Sequence, residues 1–175
     1  FYQLNKAKLQ HIDRGYMTVW DLAEVNLPNR QVPGLLGAAD GGLYQLAPGP
    51  VAKVWDGNNL LQLHQSTIHP DILYAGLENG LLALRHNGQE WETAGRIRGV
   101  DASVRSIYEM ADGTLWLGTF RAGAIKIIPG DHLLQPRKVN QYDTSDGLPS
   151  TKNVMLYPYN NRLLFATEGG LYSYN

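Results

Sequence analysis

The sequence predicts an all-β chain, a β-propeller of four-stranded antiparallel blades present as an incomplete ring of three full blades and two partial ones. Three observations lead there. A short apolar strand recurs four times in 175 residues, at 35–39, 73–77, 115–119 and 163–167. Each copy runs within a few residues into a glycine that opens a second apolar strand: Gly42-Leu43-Tyr44, Gly80-Leu81-Leu82, Gly123-Ala124-Ile125 and Gly170-Leu171-Tyr172. Those glycines are spaced by 38, 43 and 47 residues, and self-similarity at such a period marks a repeat architecture. No segment holds a helical period over a dozen residues. Short alternating strands with frequent turns suit a sandwich or a propeller, and only the propeller has a reason to repeat its sequence.

The elements then fall in order. Phe1-Tyr2-Gln3-Leu4 nearly repeats Leu43-Tyr44-Gln45-Leu46, and Ala7-Lys8-Leu9 echoes Ala52-Lys53-Val54. Residues 1–13 therefore read as the end of a blade. The first full blade, 14–57, has strands at 16–25, 34–39, 43–46 and 51–55, with loop at Leu27-Pro28-Asn29-Arg30 and turns at Asp40-Gly41 and Asp56-Gly57. The second, 58–98, has strands at 60–65, 72–77, 81–85 and 90–93. His86-Asn87-Gly88 forms its outer hairpin. The third, 99–143, has strands at 104–109, 115–119, 124–128 and 139–142, with the strongest turn signal of the chain at Asp112-Gly113. Residues 144–175 supply three strands of a partial blade, at 153–157, 162–167 and 171–174. The front two strands could complete the back three in a four-bladed ring. Because residues 1–4 would duplicate 171–174, an excerpt of a larger ring is the favoured expectation.

Composition narrows the functions. Hydrophobic residues make up 43% and charged residues 18%, the profile of a folded chain. A formal net charge of −1 argues against an electrostatic grip on nucleic acid or anionic lipid. No apolar run approaches the ~18 residues that span a bilayer. With no cysteine, disulfides and thiolate metal sites are excluded. The chain opens without methionine or signal peptide and closes on a strand, so both ends are expected to be cut from something longer. Repeats need neighbours to bury their faces, so exposed apolar surface is expected to meet further blades, other domains of the same protein, or a second copy in a homodimer.

Residues 104–127, VRSIYEMADGTLWLGTFRAGAIKI, resemble the two-component regulator propeller repeat. So do residues 142–174, with the turn Asp146-Gly147-Leu148-Pro149-Ser150, Asn153-Val154 and the exit Thr167-Glu168-Gly169-Gly170-Leu171. The first two blades share only the LxG and GL positions, with no Trp at Leu36 or Tyr74. The resemblance implies a periplasmic or extracellular sensor segment of a membrane-anchored bacterial signalling protein, followed elsewhere by a histidine kinase or diguanylate cyclase output. It also implies recognition of a small ligand, with carbohydrate as one class. For this segment it implies no enzyme activity and no membrane contact.

Trp116, aligned with Leu36, Tyr74 and Leu164, could be a sugar platform but reads first as packing between blades. The Asp-Gly turns read as hairpin organisers, since the two carboxylates of a glycosidase would have to converge, and the sequence does not place its candidates, Asp101, Glu109 and Asp112, so closely. His11, His64, His69, His86 and His132 show no ligand spacing, so no metal and no cofactor is expected. The alternatives are an enzyme on the same scaffold, a streptogramin-type lyase or a glycosidase, and a protein-interaction propeller of the WD-repeat kind suggested by Trp20-Asp21 and Trp55-Asp56. Binding candidates come from irregularity. Five positions separate Gly118 from Gly123 where the sibling blades have four, which places Phe120 and Arg121 in an extended loop. Arg105 and Tyr108 alternate on the innermost strand, and one of them is expected to line the channel. Tyr157, Tyr159 and Arg162 form a second cluster across a hairpin turning at Asn160-Asn161.

Overall fold

The computed structural model describes residues 18–27, 31–47, 50–57, 59–160 and 162–174. The reading of residues 1–13 as a blade end lies outside these, as do Tyr16 and Met17 of the first expected strand and Asn161. Among the described residues fifteen strands pair into four antiparallel sheets. The first holds β1 (Val19–Val25), β2 (Gly34–Ala39), β3 (Gly42–Ala47) and β4 (Ala52–Asp56). The second holds β5 (Leu60–Gln65), β6 (Ile72–Leu77), β7 (Gly80–His86) and β8 (Trp91–Arg96). The third holds β9 (Val104–Glu109), β10 (Leu115–Thr119), β11 (Ala124–Ile128) and β12 (Lys138–Tyr142). The fourth has three, β13 (Met155–Tyr159), β14 (Arg162–Thr167) and β15 (Gly170–Ser173).

In every sheet spatial order follows chain order, so each internal connection is a hairpin. The first strands stack in succession, β1 beside β5, β5 beside β9 and β9 beside β13, which makes them the inner strands of a propeller arrangement. Among the described residues no contact of like extent joins β13 to β1. The all-β propeller predicted from the repeat period is the fold observed.

The core lies between the sheets. One cluster joins the first and second, including Leu36, Leu43, Leu60 and Leu73. A second joins the second and third through Tyr74, Leu81, Leu117 and Ile125. A third joins the third and fourth through Trp116, Val154, Leu156 and Phe165. The aligned residues Leu36, Tyr74 and Trp116 thus each face the next sheet. Trp116 is 1% exposed, with the rings of Tyr142, Phe165 and Tyr174 at 5.2, 5.2 and 4.9 Å. Its role is packing between blades, as its place in an apolar strand predicted. Gly118 lets the sheets come close: a Cβ there would run into the Val154 carbonyl oxygen and Ser106 Oγ.

The turns follow their side-chain chemistry. Asp112 Oδ1 accepts the Thr114 N–H at 2.9 Å, and Gly113 takes φ +82°, so the aspartate organises the hairpin. A single 3-10 turn, Thr144–Asp146, carries the chain from the third sheet to the fourth. Asp143 caps it, Gly147 ends it at φ +96°, and Leu148 then packs on the third core cluster.

Candidate functional site

The inner strands share a device that positions the site. The turn residue after the second strand donates its N–H to the chain just before the first strand: Asp40 to Thr18 at 3.0 Å, Glu78 to Asn59 at 3.1 Å, Phe120 to Ser103 at 2.9 Å. Asp40, Glu78 and Phe120 are therefore structural equivalents. Two residues beyond the acceptor, each of these three inner strands has a β-bulge. Trp20, Leu61 and Arg105 are the extra residues, skipped between the paired residues Val19 and Asp21, Leu60 and Gln62, Val104 and Ser106. A bulged residue leaves the pleat and its side chain is re-aimed. In the first sheet it meets the turn residue, since Trp20 Nε1 donates to Asp40 Oδ1 at 2.8 Å.

The third sheet uses the same geometry with other chemistry. Arg105 Cζ lies 4.9 Å from the centroid of the Phe120 ring, and Arg121 Cζ lies 5.1 Å from it. Both are cation–π contacts, each worth about 0.5–1 kcal/mol at partly exposed sites. The loop beneath them is tied down. Thr119 Oγ1 donates to the Gly123 carbonyl and accepts the Ala122 N–H, both at 2.8 Å. Phe120 and Gly123 are bonded to the crossing into the fourth sheet, through Asn153 N–H to the Phe120 carbonyl and Gly123 N–H to the Thr151 carbonyl, both at 2.9 Å. The extra residue seen in the sequence thus forms a held loop. Sequence reasoning placed Phe120 and Arg121 together on the loop and Arg105 apart on the inner strand, and the bulge brings Arg105 to them.

The other candidates lie elsewhere. Tyr108 is half-buried against the Trp116 cluster, so it does not share a site with Arg105. Tyr157, Tyr159 and Arg162 do share one face: Tyr159 pairs with Arg162 and Tyr157 with Leu164 across β13 and β14. It is the opposite face from Leu156 and Phe165, which pack on the third sheet. Tyr157 and Tyr159 are 52% and 63% exposed there. Trp20 and Asp21 serve the fold, Asp21 Oδ2 accepting the Leu63 N–H of the next inner strand at 2.7 Å.

One further centre forms at Glu109, which the sequence offered only as one of the carboxylates a glycosidase would need to bring together. Glu109 is buried at the end of β9 and accepts from Ser66 Oγ at 2.8 Å, Thr67 N–H at 2.5 Å and Thr67 Oγ1 at 3.0 Å. His64 Nε2 stands 3.6 Å away, beyond hydrogen-bond length. Burial pushes the carboxyl up, but the His64 imidazole, the Thr67 amide and the two hydroxyls together outweigh it and hold it at about 2. The same burial, with the Glu109 charge beside it, pushes Tyr74 up to about 12. The bonds to Ser66 and Thr67, which follow β5, make Glu109 a clamp between the second and third sheets.

Glu109 also lines a cleft of about 330 Å³, together with Tyr74, His69, Asp71, Arg85 and Asp112. Its wall is the long β11–β12 connection, whose Leu134 carbonyl accepts the Arg98 N–H at 3.1 Å. That connection is longer than its counterpart between β7 and β8, and this length was the available signal. Among the described residues no three His, Cys, Asp or Glu side chains are grouped to hold a metal ion.

No family model matches the sequence, and no curated protein matches it. Solved structures do. The chain is similar to the extracellular domain of the putative hybrid two-component system BT4673 from B. thetaiotaomicron, with a TM-score of 0.69 and 19% identity, over 90% of this chain and 20% of that one. A second structure, described as the extracellular domain of the putative one-component system BT4673 from B. thetaiotaomicron, gives a TM-score of 0.67 and 22% identity over the same shares. The chain spans about a fifth of the length of those chains. At such identities the likeness establishes a common propeller fold.

Proposed function

We propose that this chain is a non-catalytic ligand-recognition segment of an extracytoplasmic β-propeller sensor in a bacterial membrane signalling protein. The observation that carries the reading is the backbone likeness to two extracellular signalling domains over nine-tenths of the chain. The arrangement of the polar groups supports it. Glu109 is committed to internal donors, and Asp112 is engaged with its own turn. The third sheet, by contrast, presents an aromatic and one guanidinium on a held loop and a second guanidinium from the β9 bulge, a surface fit for recognition and without a nucleophile or proton donor tuned for catalysis.

The ligand is a small polar molecule, with oligosaccharide the class to examine first, and the parent protein relays its binding to a kinase or cyclase output. Isothermal titration of the chain against a panel of neutral and acidic oligosaccharides tests this. Binding by the wild type, weakened about tenfold by Phe120→Ala with no change in the sugar, is the expected result. Silence across the whole panel, or release of cleaved product detected by mass spectrometry, would overturn it.

A further inference from the structure

The position occupied by Phe120 is acidic in the equivalent turns, with Asp40 and Glu78 held by the same hydrogen bond. Glu168 opens the corresponding turn of the fourth sheet. In the third sheet that position carries a phenyl ring, the next residue is Arg121, and the bulge position beneath supplies Arg105 where the siblings have Trp20 and Leu61. The charge of this turn is thus reversed in one blade only of the three that share the bond.

Among the described residues the two cations are uncompensated. Neither Arg105 nor Arg121 forms an ion pair with a described residue. Their Cζ atoms lie within 5.1 Å of one ring centroid, hence no more than about 10 Å apart, one Debye length at ~0.1 M salt. Arg105 Nε is buried with no hydrogen-bond partner among the described residues, and so is Ser103 Oγ, whose own carbonyl holds the Phe120 N–H. Glu168, linked to the loop through Asn153, is itself engaged, its Oε1 accepting Asn153 Nδ2 at 3.0 Å. A half-buried guanidinium whose Nε has no acceptor among the described residues, beside a second, exposed guanidinium on the same ring, is a site short of negative charge.

We propose that Arg105 and Arg121, stacked on Phe120 and backed by Ser103, bind an anionic group of the ligand: a carboxylate, sulfate or phosphate. The Phe120 ring holds both guanidinium planes in place, so each presents its fork with little further ordering. The proposal rests on the ligand-recognition reading above and names the chemistry its ligand must carry.

Titration of the chain with inorganic sulfate, inorganic phosphate, cellobiose and cellobiouronic acid tests it, the two sugars differing in one carboxylate. Wild type is expected to bind at least one anionic probe, more weakly as salt is raised from 50 to 500 mM. Arg105→Gln and Arg121→Gln should each weaken that binding roughly 10- to 100-fold, the range of a charge-assisted hydrogen bond. Arg121 is exposed on its loop, so Arg121→Gln keeps the test valid if the Arg105 variant fails to fold. Preference for cellobiouronic acid over sulfate identifies a charged saccharide, and equal binding identifies a free anion. No anion bound by the wild type, or anion binding indifferent to both substitutions, overturns the proposal. Neutral-sugar binding that survives both substitutions would leave the ligand-recognition reading standing without it.

Discussion

At the residue scale the clearest consequences belong to Glu109. Its folded carboxyl lies at about 2, against an ordinary value of 4.5. A depressed acid stabilises the fold above its ordinary value and loses that contribution as pH falls through the window between 4.5 and 2. The amount is on the order of 3 kcal/mol. Urea titrations at successive pH values should show it disappearing in that window, and Glu109→Gln should flatten the dependence. The same substitution turns an amide nitrogen toward donors that now meet a carboxylate oxygen, so it should cost about 1–3 kcal/mol at neutral pH. A variant as stable as wild type would show that the clamp between the sheets is not needed. None of this was legible in the sequence, because Ser66 and Thr67 lie more than forty positions from Glu109 and only sheet packing joins them.

At the scale of the element, β10 is where sequence and structure agree most closely. Its alternation sends Leu117 toward the second sheet and Trp116 toward the fourth, so both faces of one strand are buried. Trp116→Ala should cost about 3–5 kcal/mol, read by urea unfolding. Gly118→Ala adds one methyl against the Val154 carbonyl and should still cost about 1–3 kcal/mol, since the obstacle is backbone and cannot turn aside. A neutral Gly118→Ala would mean that β13 is free to move away. The bulge in β9 is the counter-example. The sequence predicted simple alternation of Arg105 with Tyr108 along this strand. The skipped pairing between Val104 and Ser106 breaks that alternation and is set by the loop bond from Phe120 to Ser103.

At the scale of the whole molecule, the fourth sheet shows what its neighbours bury. The face of Leu36, Tyr74 and Trp116 is covered in the first three sheets. Leu164, their counterpart, shares its face with Tyr157 and Tyr159, and Leu171 pairs with Ala166 on the same side, 61% exposed. Tyr157→Ser and Leu171→Ser should therefore change the stability of the chain by no more than about 0.5 kcal/mol, the usual effect of a surface substitution. They should also reduce binding of an apolar fluorescent dye. Loss of 2 kcal/mol or more in urea would show instead that this face is covered.

The sequence by itself determined the repeat, the strand inventory and the packing role of Trp116. Those follow from local periodicity and from glycine and aspartate at turns, which neighbouring residues alone can satisfy. It also marked the irregular loop at Phe120 and Arg121. Only the tertiary structure decided which candidates meet. Arg105 reaches Phe120 because a bulge turns it out of the pleat, Tyr108 leaves for the core, and Tyr157 and Tyr159 gather on a sheet face. The physical reason is that side-chain direction in a β-sheet depends on register, and a one-residue slip in pairing redirects the side chain without changing the pattern of residues.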